Sequence, residues 1–227
     1  MRYTPALLAT LMMTAPAAVS AQDFYGHVFG GATFLQDPNF EGIVTPPGGP
    51  QSVDNDFDTG YNFGIAVGRS LPSLNFGQFK VRGEVELSYS SSDVDRIFFS
   101  GNGPAEEVNV DGDLSTTRLF GNLIADLPTS SAFTPYAGFG LGVSSTDVDL
   151  VYGPGVTLNG SDEGLSAQLI LGGAYALNDN LSLTGDVRYL RDFSVAVPRF
   201  NPAGGLTGTL NEDISSVNLN IGLRFGF

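Results

Sequence analysis

Cysteine is absent from the chain, which excludes disulfides, thiolate metal sites and a cysteine nucleophile together. Basic residues are scarce, with 10 Lys and Arg against 24 Asp and Glu and a formal charge of −14. Such acidity argues against nucleic-acid binding, which needs a basic footprint. Long apolar runs are missing beyond residue 21, where nothing approaches the roughly 20 residues a membrane helix requires. Helical insertion into a bilayer is thereby excluded. The one apolar stretch, Ala6 to Val19, follows Arg2 and leads into Val19-Ser20-Ala21, small residues where a signal peptidase cuts. Pro16 interrupts it, and it is too short to span. Residues 1–21 therefore read as a signal peptide. Residues 22–227 then form one domain of 206 residues (227 less 21), a size common for all-β barrels.

What the chain does have is two-residue alternation, broken by segments rich in Gly, Pro, Asn and Asp. At the C-terminus Val217, Leu219, Ile221, Leu223, Phe225 and Phe227 alternate with Asn218, Asn220, Gly222, Arg224 and Gly226. In the third segment Phe79, Val81, Gly83, Val85, Leu87 and Tyr89 alternate with Lys80, Arg82, Glu84, Glu86, Ser88 and Ser90. Similar patterns over 24–34, 61–68, 115–127, 135–144, 165–175 and 181–189 bring the expected strand count to eight. Most match the ~9–11 tilted residues that cross a bilayer as β-strand. The fold predicted is all-β: an eight-stranded antiparallel up-and-down transmembrane barrel.

Spacing supports the same topology, because outer-membrane barrels have short periplasmic turns and longer external connections. The connections over 35–60, 91–114, 145–164 and 190–214 are long, and the Pro46-Pro47-Gly48 region of the first is expected to sample many conformations. The intervening turns are short, marked by Pro72, Pro128 and Asn178-Asp179-Asn180. This places the long connections outside the cell and both termini in the periplasm. Phe34, Tyr61, Tyr89 and Tyr189 then fall at outer strand ends, and Phe24, Phe79, Tyr175, Phe225 and Phe227 at periplasmic ends, as two aromatic belts require. A soluble exported barrel of the lipocalin kind alternates equally well but buries its apolar face. The inward charges at 80–86 and the low overall charged fraction of 15% count against it.

Thr134-Pro135-Tyr136-Ala137-Gly138-Phe139-Gly140, the run from Gly173-Ala174-Tyr175 to Asp186-Val187-Arg188-Tyr189, and the terminal Arg224-Phe225-Gly226-Phe227 resemble the small outer-membrane barrels. That family is typified by the OmpA transmembrane domain, OmpX and the opacity-type porin-like proteins. The resemblance implies a Gram-negative outer-membrane location, partners in membrane lipid and lipopolysaccharide, and recognition of Phe225 and Phe227 by the outer-membrane assembly machinery. It implies function only loosely, since members serve as adhesins, anchors, weak pores or serum-resistance factors. The chain stops at the eighth strand, so attachment through a following cell-wall domain is not expected.

Inward parity gathers a lumenal charge network of Lys80, Arg82, Glu84, Glu86, Arg118, Asp126, Asp186, Arg188 and Arg224, with Asn122, Gln168, Asn218 and Asn220 beside it. An eight-stranded barrel is just wide enough for side chains to fill, and charges held there must be paired. The network reads as a polar plug, with a small gated ion path as the alternative. An enzyme ranks last. The one histidine, His27, has no serine two residues on, as a lipid A deacylase pattern would require, and it maps to the wrong end for an omptin-like Asp-His pair. No catalytic residue, cofactor or metal site is expected. The long connections hold 18 of the 24 acids, Asp192 among them; Asp54-Asn55-Asp56 and Asp111-Gly112-Asp113 are the nearest to a hard-cation pattern. The expected role is structural or surface-interacting and adhesin-like, with a possible extracellular ligand met through the acidic connections; a weakly conducting channel is the alternative.

Overall fold

The computed structural model describes residues 24–36, 38–45, 49–100, 111–152 and 155–227. The expected signal segment and residues 46–48 lie outside them. Ten strands follow in chain order: β1 Phe24–Gln36, β2 Asn39–Val44, β3 Gly49–Phe57, β4 Gly60–Ser70, β5 Lys80–Ser100, β6 Asp111–Asp126, β7 Phe133–Tyr152, β8 Val156–Ala176, β9 Leu181–Phe200 and β10 Leu206–Gly226. Antiparallel pairing of β1 with β4, then β5 through β10 in order, and of β10 back onto β1, closes an eight-membered ring. Closure removes every free sheet edge from that ring, the condition for backbone to cross hydrocarbon as β-structure.

In the half that carries the short turns, here the lower half, residues alternate as the sequence predicts. On β4, Tyr61, Phe63, Ile65 and Val67 point outward and are more than half exposed, while Asn62 and Ala66 are buried inside. Val85, Leu141, Leu169, Leu171 and Ile221 extend that apolar exterior around the ring. An outward apolar belt of this kind is unfavourable in water and favourable in lipid. The belt residues Phe34, Tyr61, Tyr175, Tyr189, Phe225 and Phe227 are all outward and exposed.

Where they are described, the long connections are strands and not loops. Strands β5 and β7 to β10 run 20–21 residues, about twice what a bilayer crossing takes, so each continues well past the belt. Strands β2 and β3 take over from β1 and β4 around the upper ring: Gly42 pairs with Leu210 of β10, and Phe57 with Val94 of β5. The alternation persists up there, but the two faces exchange chemistry. Along β7, Phe139, Leu141 and Val143 face outward; past Ser144-Ser145-Thr146, Val148 and Leu150 face inward, and Asp147 and Asp149 outward. A search for strands with an apolar outer face stops at such a switch, which is why 145–164 and 190–214 read as loops.

The upper lumen is an apolar core of Phe40, Val53, Leu114, Val148, Leu150, Leu158, Val197, Leu210 and Ile214, none more than 2% exposed. Each such residue stabilises the fold by about 1.5–3 kcal/mol. The lower half is thus a membrane barrel, and the upper half is built like the soluble barrel weighed against it. One irregularity marks the junction. The β8–β9 ladder lapses between Leu158↔Arg199 and Ser166↔Asp192. There Ser194 adopts φ 56°, the Asp213 carboxylate accepts its N–H at 2.7 Å, and Asp162 Oδ2 accepts the N–H of Ala196 at 2.8 Å.

Candidate functional site

Strand parity delivers Arg82, Glu84, Glu86, Ser88 and Ser90 of β5 into the lumen, all buried. Lys80, expected to join them, is exposed at the lower rim, where the strand begins beyond the packed interior. Arg82 donates from Nε to Asp126 Oδ2 at 2.9 Å and from Nη1 to the Tyr25 hydroxyl at 2.6 Å, and it pairs with Glu84. The Tyr25 hydroxyl donates to Glu84 Oε1 at 2.6 Å. The Arg82 guanidinium lies 5.3 Å over the Tyr25 ring and 5.1 Å over that of Tyr136. Arg224 sits half-buried at the lower mouth, its guanidinium 5.6 Å over the Tyr25 ring.

Above this, Arg188 bridges two carboxylates, donating from Nη1 to Glu86 Oε1 at 2.7 Å and from Nε to Asp186 Oδ1 at 2.8 Å. Asn122 donates to Glu86 Oε2 at 2.9 Å, Tyr136 to Asp186 Oδ2 at 3.0 Å, and Asn220 to Asp186 Oδ1 at 2.9 Å. A third layer joins Arg118 to Asp192 through a fork, Nη2 to Oδ2 at 2.6 Å and Nε to Oδ1 at 3.0 Å, with Ser90 accepting from Nη1 at 2.8 Å. The bidentate fork is the geometry that suits arginine to tightly packed carboxylates.

Asp192 was expected among the solvated acids and is instead a lumenal partner, 1% exposed. The signal was available: it shares parity with Asp186, Arg188 and Leu190, and only an early strand end hid it. Tyr25 and Tyr136 were likewise overlooked although both have inward parity. His27 is buried and its Nε2 lies 3.0 Å from Thr184 Oγ1, with no carboxylate as hydrogen-bond partner. The first and last strands meet at the lower rim, where the Phe227 N–H donates to the Phe24 carbonyl at 3.0 Å.

On the outer face of the upper half, acids line up across strands. Asp93, Asp113 and Asp149 are direct register partners on β5, β6 and β7, followed by Asn159 on β8. Asp147 lies one outward position below Asp149. Partial burial, then the charges of Asp93, Asp149 and Asp147, push the Asp113 carboxyl above the usual aspartate range. Among the described residues no three acids or histidines converge on a metal position. Asn55 faces inward, donating to the carbonyls of Pro38 at 3.1 Å and Val53 at 3.0 Å, so Asp54-Asn55-Asp56 does not form a joint ligand set.

A raised folded-state carboxyl pKa means the ionised side chain opposes folding above that pKa and ceases to do so as it protonates. Asp113→Asn is therefore expected to stabilise the refolded protein at pH 7 by up to about 1 kcal/mol, the scale of a like-charge cross-strand pair. The gain should shrink as pH falls through the aspartate range, where wild type also loses the charge. Thermal unfolding followed from pH 7 to pH 3 checks both parts.

Residues 5–227 match the family described as outer membrane protein beta-barrel domain. The outer membrane protein PagN of Salmonella typhimurium is 24% identical over 229 residues, covering 96% of this chain and 90% of PagN. Among solved structures, OprG from Pseudomonas aeruginosa superposes with a TM-score of 0.57 at 16% identity, over 91% of this chain and 98% of its own. Neisserial surface protein A gives 0.53 at 17% identity, over 92% and 98%. The outer membrane protease OmpT from Escherichia coli gives 0.52 at 10%, over 93% and 99%. At these identities the structural likenesses speak to the fold alone.

Proposed function

The chain belongs to the outer membrane protein beta-barrel family, and from that premise we propose that it is a non-enzymatic, adhesin-like surface-interaction protein of the Gram-negative outer membrane. The upper half faces the environment and both termini face the periplasm. The short turns at one end and the acidic, water-compatible exterior at the other support this orientation. Lipid and lipopolysaccharide contact the apolar belt, and Phe225 and Phe227 are the residues offered to the assembly machinery.

The observation that carries this reading is that the lumen is filled twice. Ionic layers at Arg82–Glu84, Arg188–Glu86–Asp186 and Arg118–Asp192 occupy the lower half, and the apolar core occupies the upper. With the interior filled by side chains, the solvent-facing chemistry lies on the outer wall, where the Asp93–Asp113–Asp149 row favours a partner of opposite charge. The sole histidine is turned away from that wall.

Two measurements test this. The protein without residues 1–21, refolded in a planar bilayer, should be electrically silent, as should Glu84→Ala; discrete openings in wild type, altered by Arg82→Ala, would establish a channel instead. Cells displaying the protein should adhere better than cells without it, and Asp113→Lys with Asp149→Lys should abolish the gain at equal surface abundance. Unchanged adhesion in the variant would rule out the acidic row as the contact surface.

A further inference from the structure

The short turns at the lower end differ in chemistry. Those after β6 and β8 are polar, built on Thr129-Ser130-Ser131 and Asn178-Asp179-Asn180. The turn between β4 and β5, residues 71–79, instead leaves Leu74 and Phe76 half or more exposed. Its backbone is nevertheless fixed. The Leu74 N–H donates to the Leu71 carbonyl at 3.0 Å and the Asn75 N–H to that of Pro72 at 3.2 Å, closing a short helical turn over Pro72–Leu74. Phe76 and Phe79 exchange N–H and carbonyl at 3.3 and 2.9 Å, and their rings stack with centroids 5.0 Å apart. Between them Gly77 adopts φ 56°, where a side chain would be strained. A rigid turn thus presents apolar side chains to its surroundings.

The turn lies back against the lipid-facing wall. Val81 and Gly83 share outward parity with Val85, yet Val81 is 8% exposed and Val85 62%. Asn75 Oδ1 accepts the Val81 N–H at 2.8 Å, and the Val81 carbonyl accepts the Leu71 N–H at 2.8 Å. Leu71 covers Gly83, where a Cβ would meet Leu71 Cδ1 at 3.1 Å. The apolar surface of the turn is therefore continuous with the belt. Cations flank it. Arg69, the register partner of Gly83, is exposed at the lower end of the outward row Ile65 and Val67, its guanidinium 5.4 Å over the Phe24 ring. Lys80 is exposed where β5 begins, whereas Asp126 on the adjoining β6 is taken by Arg82. Apolar side chains beside cations at the edge of a lipid belt, in a chain of net charge −14, suit an anionic bilayer interface.

We propose that this turn is a lipid seat: Leu74 and Phe76 enter the acyl boundary of the adjoining leaflet, and Arg69 with Lys80 binds the phosphate of an anionic phospholipid. The seat rests on the barrel's place in a bilayer; that the leaflet is the periplasmic one rests on the orientation proposed above.

The chain has no tryptophan, so Phe76→Trp introduces a sole fluorophore at the turn. The variant without residues 1–21 is refolded into nanodiscs of phosphatidylcholine carrying a minor fraction of phosphatidylglycerol or phosphatidylcholine brominated near the carbonyl end of the acyl chains. Emission should be blue-shifted, and brominated phosphatidylglycerol should quench it about twofold more than brominated phosphatidylcholine at equal mole fraction. Arg69→Gln with Lys80→Gln should equalise the two. Leu74→Trp gives a second probe, and heat-shifted electrophoretic mobility confirms that each variant is folded. Water-like emission quenched by aqueous iodide and not by brominated lipid would overturn the proposal and leave the turn to a protein partner. Equal quenching by the two lipids, or a preference that survives the double substitution, would overturn it as well. Both leaflets of a nanodisc are alike, so orientation is read separately: labelling of Ser73→Cys by an impermeant maleimide in intact cells would contradict the orientation and not the seat.

Discussion

Replacing Arg118 with methionine is expected to destabilise the barrel by about 3–5 kcal/mol, the cost of leaving a buried charge without its partner. Arg118 and Asp192 are 2% and 1% exposed at the side chain, and the fork between them is joined by Ser90 and Ser166. The methionine removes the cation and leaves the Asp192 carboxylate with one hydroxyl donor. Arg118→Met with Asp192→Leu should recover most of the loss, since removing both charges replaces an ionic layer with an apolar one. Urea unfolding of the refolded chain in lipid vesicles reads both. The exposed pair Arg191–Asp213, 2.7 Å apart but 45% and 34% exposed, provides the contrast: Arg191→Ala should leave the urea midpoint unchanged.

Phe40→Ala should cost about 3–5 kcal/mol by opening a cavity in the apolar core, with the damage confined to the upper half. Phe40 is fully buried, yet β2 spans only six residues and meets β10 through two register pairs, at Gly42 and Glu41. Without its aromatic anchor the β2–β3 hairpin loses its place in the apolar core and keeps only its short backbone pairing to β10. Limited proteolysis of vesicle-inserted protein should then cut within β2 and β3 at least tenfold faster than in wild type. The membrane-embedded half should keep its resistance to protease and denaturant. Unaltered cleavage would mean that the core does not hold the hairpin.

The lower half was legible because lipid and lumen impose opposite chemistry on alternate residues; at Arg82 to Tyr89 that contrast is large enough to read residue by residue. Closure as an eight-membered ring followed from the even strand count and the alternating connection lengths. The upper half was not legible by the same rule. At Ser144-Ser145-Thr146 on β7, Ser90-Ser91-Ser92 on β5 and Ser215-Ser216 on β10, both faces turn polar for a few residues, and beyond them the apolar set reappears at the other parity. A rule that asks for apolar residues outside ends each strand there. Asp192 was misplaced for that reason, and Lys80 for the converse one, since parity continued past the last packed layer. The Arg188 bridge between Glu86 and Asp186 depends on side chains from two strands 102 and 2 positions away from it, a combination that parity suggests but cannot pair.

The central claim is that the long connections form a folded, apolar-cored continuation of the barrel above the membrane. Amide hydrogen exchange of the refolded protein in lipid tests it most directly. Protection is expected to persist through Val148 and Leu150 of β7 and through Val197 and Leu210 of β9 and β10, at levels approaching those of the membrane-embedded strands. Protection that ends near Ser145 and Leu190, with free exchange beyond, would contradict it and return these segments to loops.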